Sequence, residues 1–263
     1  MITQSDILTT DKFLALVNPS IAYIKTDVIH NGGRPVVWRG RRHGLRTAPV
    51  WITGHSDYGI TSSLYERFAT QTAEWYTVNK EYRGPRLHSI PLGITNDCDD
   101  SPSHRILGNT DIMMEVMAEP KQIVNRVYMN ISIPTYPVER QRVFDLFKDK
   151  SWVTNEGAVL TLEGRRRFLK QLRNHDFVLC PRGNGVDTHR LWETLYMGSI
   201  PIVRRHVAME DFYDLPVCWI DDWPEVTESF LDSEYKRITE ANWNLEKLKF
   251  DYWKQKIVES SVL

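Results

Sequence analysis

The stretch from Phe177 to Val203, FVLCPRGNGVDTHRLWETLYMGSIPIV, constrains the fold of this chain more than any other. It reads as strand, glycine-rich turn, helix and strand. Phe177, Val178 and Leu179 form a short apolar run of the buried-strand type, and Pro181 ends it. Gly183 and Gly185 admit backbone geometries and close approaches that a side chain would block. Asp187 is expected to cap the helix that follows, with Val186 and Leu191 spaced as a hydrophobic staple. Gly198 is placed to close that helix, and Ile200 to Val203 begin the next strand. A helix N-terminus reached through glycines presents free N–H groups and a positive dipole end, which suits a phosphate or diphosphate. Arg182 and Arg190 flank it with forked donors suited to such an anion.

Two glycines before a helix are common in α/β proteins, and these match neither the dinucleotide G-x-G-x-x-G spacing nor the P-loop. What favours a ligand is density. Arg182, Asn184, Asp187, Thr188, His189, Arg190 and Glu193 crowd one loop and the start of one helix. A structural crossover needs only a cap and an apolar stripe, and Leu191 and Leu195 supply the stripe. Arg190 and Glu193 are three apart, so an intrahelical salt bridge accounts for that pair about as well as a ligand does.

The rest of the chain alternates in the same way. In the first half, 21–24, 36–38, 50–53 and 87–92 read as strands and 64–72 as a helix; 97–104 is polar and turn-rich, and 111–119 is helical until Pro120. The second half predicts strands at 126–132, 151–154, 177–180, 200–203 and 217–220. Between and after them come helices at 137–149, 161–174, 187–197, 208–213 and 224–240. Strands alternating with helices imply βαβ units and parallel sheets. The boundary is placed near 119–126, giving an α/β unit at 1–122, a second at 123–242, and a terminal helix over 243–263 with an apolar stripe for packing.

The motif CPRGNG, then DTHRLWE, then GSIPIV resembles the donor-binding region of exostosin-like glycosyltransferases. Weaker echoes of small proteins of this kind are YIKTD (Tyr23–Asp27), WITGHSD (Trp51–Asp57), WYTVN (Trp75–Asn79), IPLG (Ile90–Gly93) and YMNISIPTYPVER (Tyr128–Arg140). The resemblance implies two Rossmann-like domains of GT-B type with an interdomain cleft. It also implies sugar transfer from a nucleotide diphosphate sugar to a hydroxyl acceptor, a glycan or related compound. It adds Arg140 to the diphosphate candidates, and it suits a terminal helix that crosses back to the first domain. The chain is shorter than typical members.

Inverting sugar transfer requires a base for the acceptor hydroxyl and positive charge or N–H donors for the leaving diphosphate. Ligands of open α/β sheets lie at the carboxyl ends of strands. The first half offers Asp27 after one such strand and His55 with Asp57 after another. Asp57 ranks first as base, His55 second and Asp27 third. Trp75 and Asn79 are candidates for an acceptor groove, Trp75 more often being core. Arg140, Arg182, Gly183, Asn184, Gly185, Asp187, Thr188, His189 and Arg190 make up the donor side, with Glu193 offered to the ribose hydroxyls.

Charge and cysteine content narrow the alternatives. The net charge of −1 supplies no global basic field for nucleic acid, although WRGRRHGLR (Trp38–Arg46) and Arg165–Arg167 are local basic runs. A transferase acting on modified nucleic acid bases is therefore a lesser reading, as is a non-catalytic nucleotide-sugar-binding module. Three scattered cysteines suggest neither a disulfide framework nor a zinc site. Asp97-Cys98-Asp99 is a D-x-D triplet able to hold a divalent cation, but it lies in a turn-rich run where acidic residues are expected. No metal requirement and no cofactor beyond the nucleotide diphosphate sugar are expected. MITQSDILTTDKF has no secretory pattern and no apolar run is long enough for a bilayer, so the expected location is cytoplasmic without a membrane span.

Overall fold

The computed structural model describes residues 2–98 and 101–262. Eleven strands are present among them: β1 (Ile21–Lys25), β2 (Val36–Trp38), β3 (Arg41–His43), β4 (Val50–Gly54), β5 (Glu74–Thr77), β6 (Leu87–Ser89), β7 (Asn125–Met129), β8 (Val153–Asn155), β9 (His175–Leu179), β10 (Ile200–Arg204) and β11 (Cys218–Ile220). They form a four-stranded sheet of order β1-β4-β5-β6, a five-stranded sheet of order β11-β10-β9-β7-β8, and the small ribbon β2-β3. Both larger sheets are parallel throughout, in registers such as Ile21 beside Val50 and Val127 beside Phe177. The ribbon is antiparallel.

Alternation along the strands sorts the side chains into three apolar layers. Ala22, Ile24, Trp51, Trp75 and Leu87 fill the outer face of the first sheet. Val127, Met129, Phe177, Leu179, Ile200 and Ile202 fill the outer face of the second. Their neighbours Ile21, Tyr23, Val50, Ile52, Tyr128 and Val178 turn the other way into a single cluster fed by both sheets. Parallel strands covered on both faces need such continuous apolar runs, and VWITG of β4 is buried along its whole length.

The helices carry matching stripes. Leu162–Arg173 is capped by Thr161, whose Oγ1 accepts from Gly164 N at 3.0 Å, and buries Leu169 and Leu172. Phe250–Ser260 buries Trp253 and Ile257 in the shared cluster. It is held from the first half by Phe250 N to Asp6 O at 2.9 Å and by Tyr76 Oη to Ser260 Oγ at 2.7 Å. Among the described residues, no helix is long and apolar enough to cross a membrane.

Several local expectations differ from the structure. The strand expected over 87–92 stops at Ser89, and β5 and the helix Pro102–Leu107 had no counterpart in the sequence reading. The helix expected over 208–213 is the 3₁₀ turn Val207–Phe212, and the one expected over 224–240 is preceded by the 3₁₀ turn Trp223–Glu225 and starts as an α-helix at Glu228. Asp187 is not the helix cap. Thr188 holds that position, with extended backbone and no side-chain bond, and the helix runs His189–Tyr196. The Asp187 carboxylate turns inward instead and accepts from Leu92 N and Trp192 Nε1 at 2.7 and 2.8 Å.

The strand order of the second sheet matters most for function. After β7 the chain moves outward to β8, then returns to the opposite side of β7 to lay down β9, β10 and β11. The order therefore reverses between β7 and β9, and the crevice beyond the carboxyl ends of those strands is where ligands of such sheets lie.

Candidate functional site

A cavity of about 880 Å³ opens at that reversal. One wall comes from the second sheet: Tyr128 and Asn130 at the end of β7, Glu156 to Leu160 after β8, and Gly183 to Gly185 after β9. The other comes from the first half, through Trp38, His55 to Asp57, Leu92 and Asn96. Arg140, Asp187, Thr188, His189, Arg190 and Glu193 also line it; Arg182 and Asp27 do not.

The glycine loop is held from both sides. Gly183 N donates to Gly185 O at 3.0 Å, and Asn79, in a left-handed backbone conformation (φ 60°), accepts from Asp187 N at 2.8 Å. A Cβ on Gly185 would lie 2.6 Å from Asn79 Nδ2, so a side chain there would dislodge this anchor. Asn79 is thus buried against the glycine loop instead of lining an acceptor groove, and Trp75 is core, its Nε1 donating to Thr53 Oγ1 at 3.0 Å. Arg182 braces the loop, donating to Asn184 O at 2.8 Å with its guanidinium 4.4 Å from the Tyr136 ring centre. His189 Nδ1 lies 2.7 Å from Gly93 O, which can only accept, so Nε2 is the acceptor nitrogen of the neutral ring. Burial lowers the pKa of His189. Burial also raises that of Asp187 to about 7, against the hydrogen bond from Leu92 N–H.

The cationic groups at this wall are unevenly partnered. Arg140 donates through Nε to Arg182 O at 2.8 Å and through Nη1 to Ser132 O at 3.0 Å. Burial, and then the charge of Arg190, lower its pKa to about 10. Glu193 is paired with Arg165 (Nη1 to Oε1, 2.6 Å), not with Arg190, and both partners are almost wholly buried. Among the described residues the Arg190 guanidinium makes no hydrogen bond or ion pair; its Nε is buried without a partner, and the group rests 5.8 Å from the Phe168 ring centre. A permanently charged guanidinium beside Arg140 thus gives the cavity a local excess of positive charge.

On the opposite wall His55 is the centre of a network. Its Nε2 lies 2.8 Å from Asp11 Oδ1 and its Nδ1 2.5 Å from Tyr23 Oη, with the Trp38 ring 4.4 Å away. Burial opposes ionisation of Asp11, but hydrogen bonds from His55 and Arg39 outweigh it and bring its pKa down to about 2. An ionised Asp11 only accepts, so Nε2 carries the proton and Nδ1 accepts from Tyr23. Both ring nitrogens are then occupied. Asp57 is exposed at the cavity edge, and Asn184 of the glycine loop donates to its Oδ2 at 3.3 Å. Asp27 is paired with Lys25 outside the cavity. Its pKa is lowered, since hydrogen bonds from Lys25 and Ser56 outweigh its burial.

Sequence reasoning missed Asp11, Arg165, Tyr128, Asn130 and Glu156. Position at a strand end was the available signal for Asn130 and Glu156; Asp11 and Arg165 acquire their roles only through tertiary contact. The Arg165–Arg167 run is not an open basic face, because Glu193, Glu115 and Glu156 pair with its three members. Asp99 of the D-x-D triplet lies outside the described residues. Among those that are described, no three His, Cys, Asp or Glu side chains gather as a metal site.

Residues 139–257 match the family model of the RXYLT1 C-terminal domain, a xylosyltransferase family. The matched segment contains the glycine loop, Arg140, Arg190 and Glu193. No curated protein matches the chain. Among solved structures, "Crystal Structure of alpha1,3-Fucosyltransferase" is similar over 92% of this chain and 89% of that one, at 14% identity and a TM-score of 0.37. The family match supports a glycosyltransferase.

Proposed function

We propose that this protein transfers a sugar from a nucleotide diphosphate sugar to a hydroxyl acceptor, with inversion at the anomeric carbon. The observation that carries the reading is the Arg190 guanidinium, unpaired among the described residues and set beside Arg140 and the Gly183–Gly185 loop at the reversal of the second sheet. A diphosphate would supply the missing counter-charge. It would accept from the forked donors and from N–H groups at the start of His189–Tyr196, and those contacts would strengthen as charge builds on the leaving group.

Asp57 is the acceptor-side base in this reading. It stands on the wall opposite the guanidinium groups and meets the donor loop through Asn184. A base must lie within hydrogen-bond reach of the proton it takes. His55, with Tyr23 on one nitrogen and Asp11 on the other, shapes that wall instead of abstracting a proton. The two sheets correspond to the two lobes of a GT-B enzyme of exostosin-like type, divided near 119–126, with the cavity as their cleft. The chemistry assigned to these residues needs no metal.

The test is a thermal-shift panel of nucleoside diphosphates and their sugar conjugates, followed by transfer assays with and without excess chelator. A ligand that binds only the native state raises its melting temperature. Stabilisation by a nucleoside diphosphate that is lost in Arg190→Ala supports the reading. No shift with any nucleotide ends it, and activity lost in chelator and restored by manganese ends its metal-free form.

A further inference from the structure

We infer that the carboxyl end of β8 is the nucleoside end of the cleft, with the Glu156 carboxylate accepting from the ribose hydroxyls and the Gly157–Leu160 loop lying against the base. The inference rests on the diphosphate reading above and gives the donor a direction.

Three strand ends border the cavity in spatial order: β9 with the glycine loop, β7 with Asn130, and β8 with Glu156. Strands two places apart are separated by roughly 10 Å, a separation that a nucleoside diphosphate can bridge with its pyrophosphate over β9. Glu193 is not open to the ribose, since Arg165 holds it in a buried pair. Glu156 is held differently. Its backbone N–H donates to Met129 O at 3.0 Å, and its Oε1 accepts from Arg167 Nη2 and Gln171 Nε2 at 2.7 and 2.8 Å. Its Oε2 has only a long contact, 3.4 Å from Tyr128 Oη. One oxygen is therefore anchored and the other keeps most of its accepting capacity, at a side chain only 19% exposed. An acidic group at a strand end that takes the ribose diol is a recurring solution in doubly wound sheets.

The adjoining loop supplies the apolar part of a nucleoside site. Val159 and Leu160 line the cavity yet are 58% and 56% exposed. A planar base laid against them would cover apolar surface otherwise left to water. The loop sits tightly on the following helix, since a Cβ on Gly164 would lie 2.2 Å from Val159 O. With the base over β8 and the diphosphate over β9, the transferred sugar points across the cleft to Asp57.

Calorimetry with uridine, guanosine, cytidine and adenosine diphosphates and their 2′,3′-dideoxy forms tests this. The wild type is expected to bind its preferred ribonucleotide at least about tenfold more tightly than the dideoxy form, the size of one good hydrogen bond to a charged acceptor. Glu156→Ala should bring the ribonucleotide to the dideoxy level and leave the dideoxy affinity within about threefold, well under one tenfold step. Glu156→Gln, which keeps an acceptor oxygen and the anchoring geometry, should retain part of the discrimination, and its native melting temperature controls for folding. Equal binding of ribo and dideoxy forms by the wild type, with both lost in Arg190→Ala, overturns this inference and leaves the diphosphate reading standing. Failure of all four nucleotides to bind overturns both.

Discussion

Arg165 takes the carboxylate of Glu193 that helical spacing would have offered to Arg190. The pair closes at 2.6 Å, almost wholly buried, across 28 positions of sequence. Among the described residues Arg190 is left facing the cavity without an acid. Breaking a buried pair by removing one partner leaves an uncompensated charge and costs about 3–5 kcal/mol. Arg165→Met is therefore expected to lower the melting temperature sharply. Arg165→Met combined with Glu193→Gln should recover much of that loss, because no bare charge then remains inside. A double variant no more stable than Arg165→Met would show that the pair is not what holds this region.

Arg190→Ala should weaken nucleoside diphosphate binding by roughly 10- to 100-fold, as for a charged hydrogen-bonding group worth about 1.5–3 kcal/mol. Lys25→Ala is the matched control. Lys25 is paired with Asp27 away from the cavity, and its loss should leave the dissociation constant unchanged within about twofold, well under one tenfold step. Titration calorimetry compares them directly. Equal losses in the two variants would remove Arg190 from the diphosphate site.

Asp187 predicts a pH dependence of stability with an unusual sign. Burial raises its folded pKa to about 7 from the ordinary 3.8. Between those values the folded state holds a proton that the unfolded state has released, so this group's contribution falls as pH rises through that window and is level above it. Buried His189 acts in the opposite sense. Its folded pKa lies below the ordinary 6.5, so its contribution is complete above 6.5 and is lost as pH falls towards the folded value. Asp187→Asn removes only the first effect. Melting temperatures measured from pH 4 to pH 8 should rise more steeply with pH in the variant than in the wild type. Parallel profiles would mean that Asp187 stays ionised in the folded protein.

Much of the second half was legible because its strands are short apolar runs separated by helices with clear starts. The helix expected over 161–174 runs Leu162–Arg173 behind its Thr161 cap, while Thr227, read as helix interior, is the cap of the helix that follows. The first half was harder. EWYT of β5 has neither turn residues beside it nor an apolar-polar alternation, so it does not read as a strand; Trp75, weighed as groove lining against core, is core. Pro102–Leu107 has a Ser cap and an early proline but buries no residue, so no stripe announced it. At the site, the strand-end residues were legible and the partnerships were not. Asp11 and His55 lie 44 positions apart and meet only when β4 packs beside the short helix Thr10–Leu14. Arg165 looked like one member of a basic run, and only the fold buries it against Glu193. Asp187, read as a cap, turns its carboxylate to Leu92 and Trp192, and only the approach of the first half to the glycine loop makes that preferable.

At the open edge of the cavity Asn184 Nδ2 reaches Asp57 Oδ2 at a weak 3.3 Å, and this contact defines the last prediction. Asp57→Asn keeps the size and shape of the side chain and removes its capacity to accept a proton. If Asp57 is the base, transfer should fall by about 10²–10⁴-fold, the usual worth of general base catalysis. Donor binding should change by no more than a few-fold, since the diphosphate contacts lie on the other wall. Asn184→Ala separates the contact from the chemistry: it removes the bond but leaves the carboxylate, so it should cost less in turnover than Asp57→Asn. The measurement is the transfer rate at saturating donor beside the donor dissociation constant for each variant. Undiminished turnover in Asp57→Asn removes Asp57 as the base. Equal losses in the two variants would mean that Asp57 serves to hold the loop and not to take the proton.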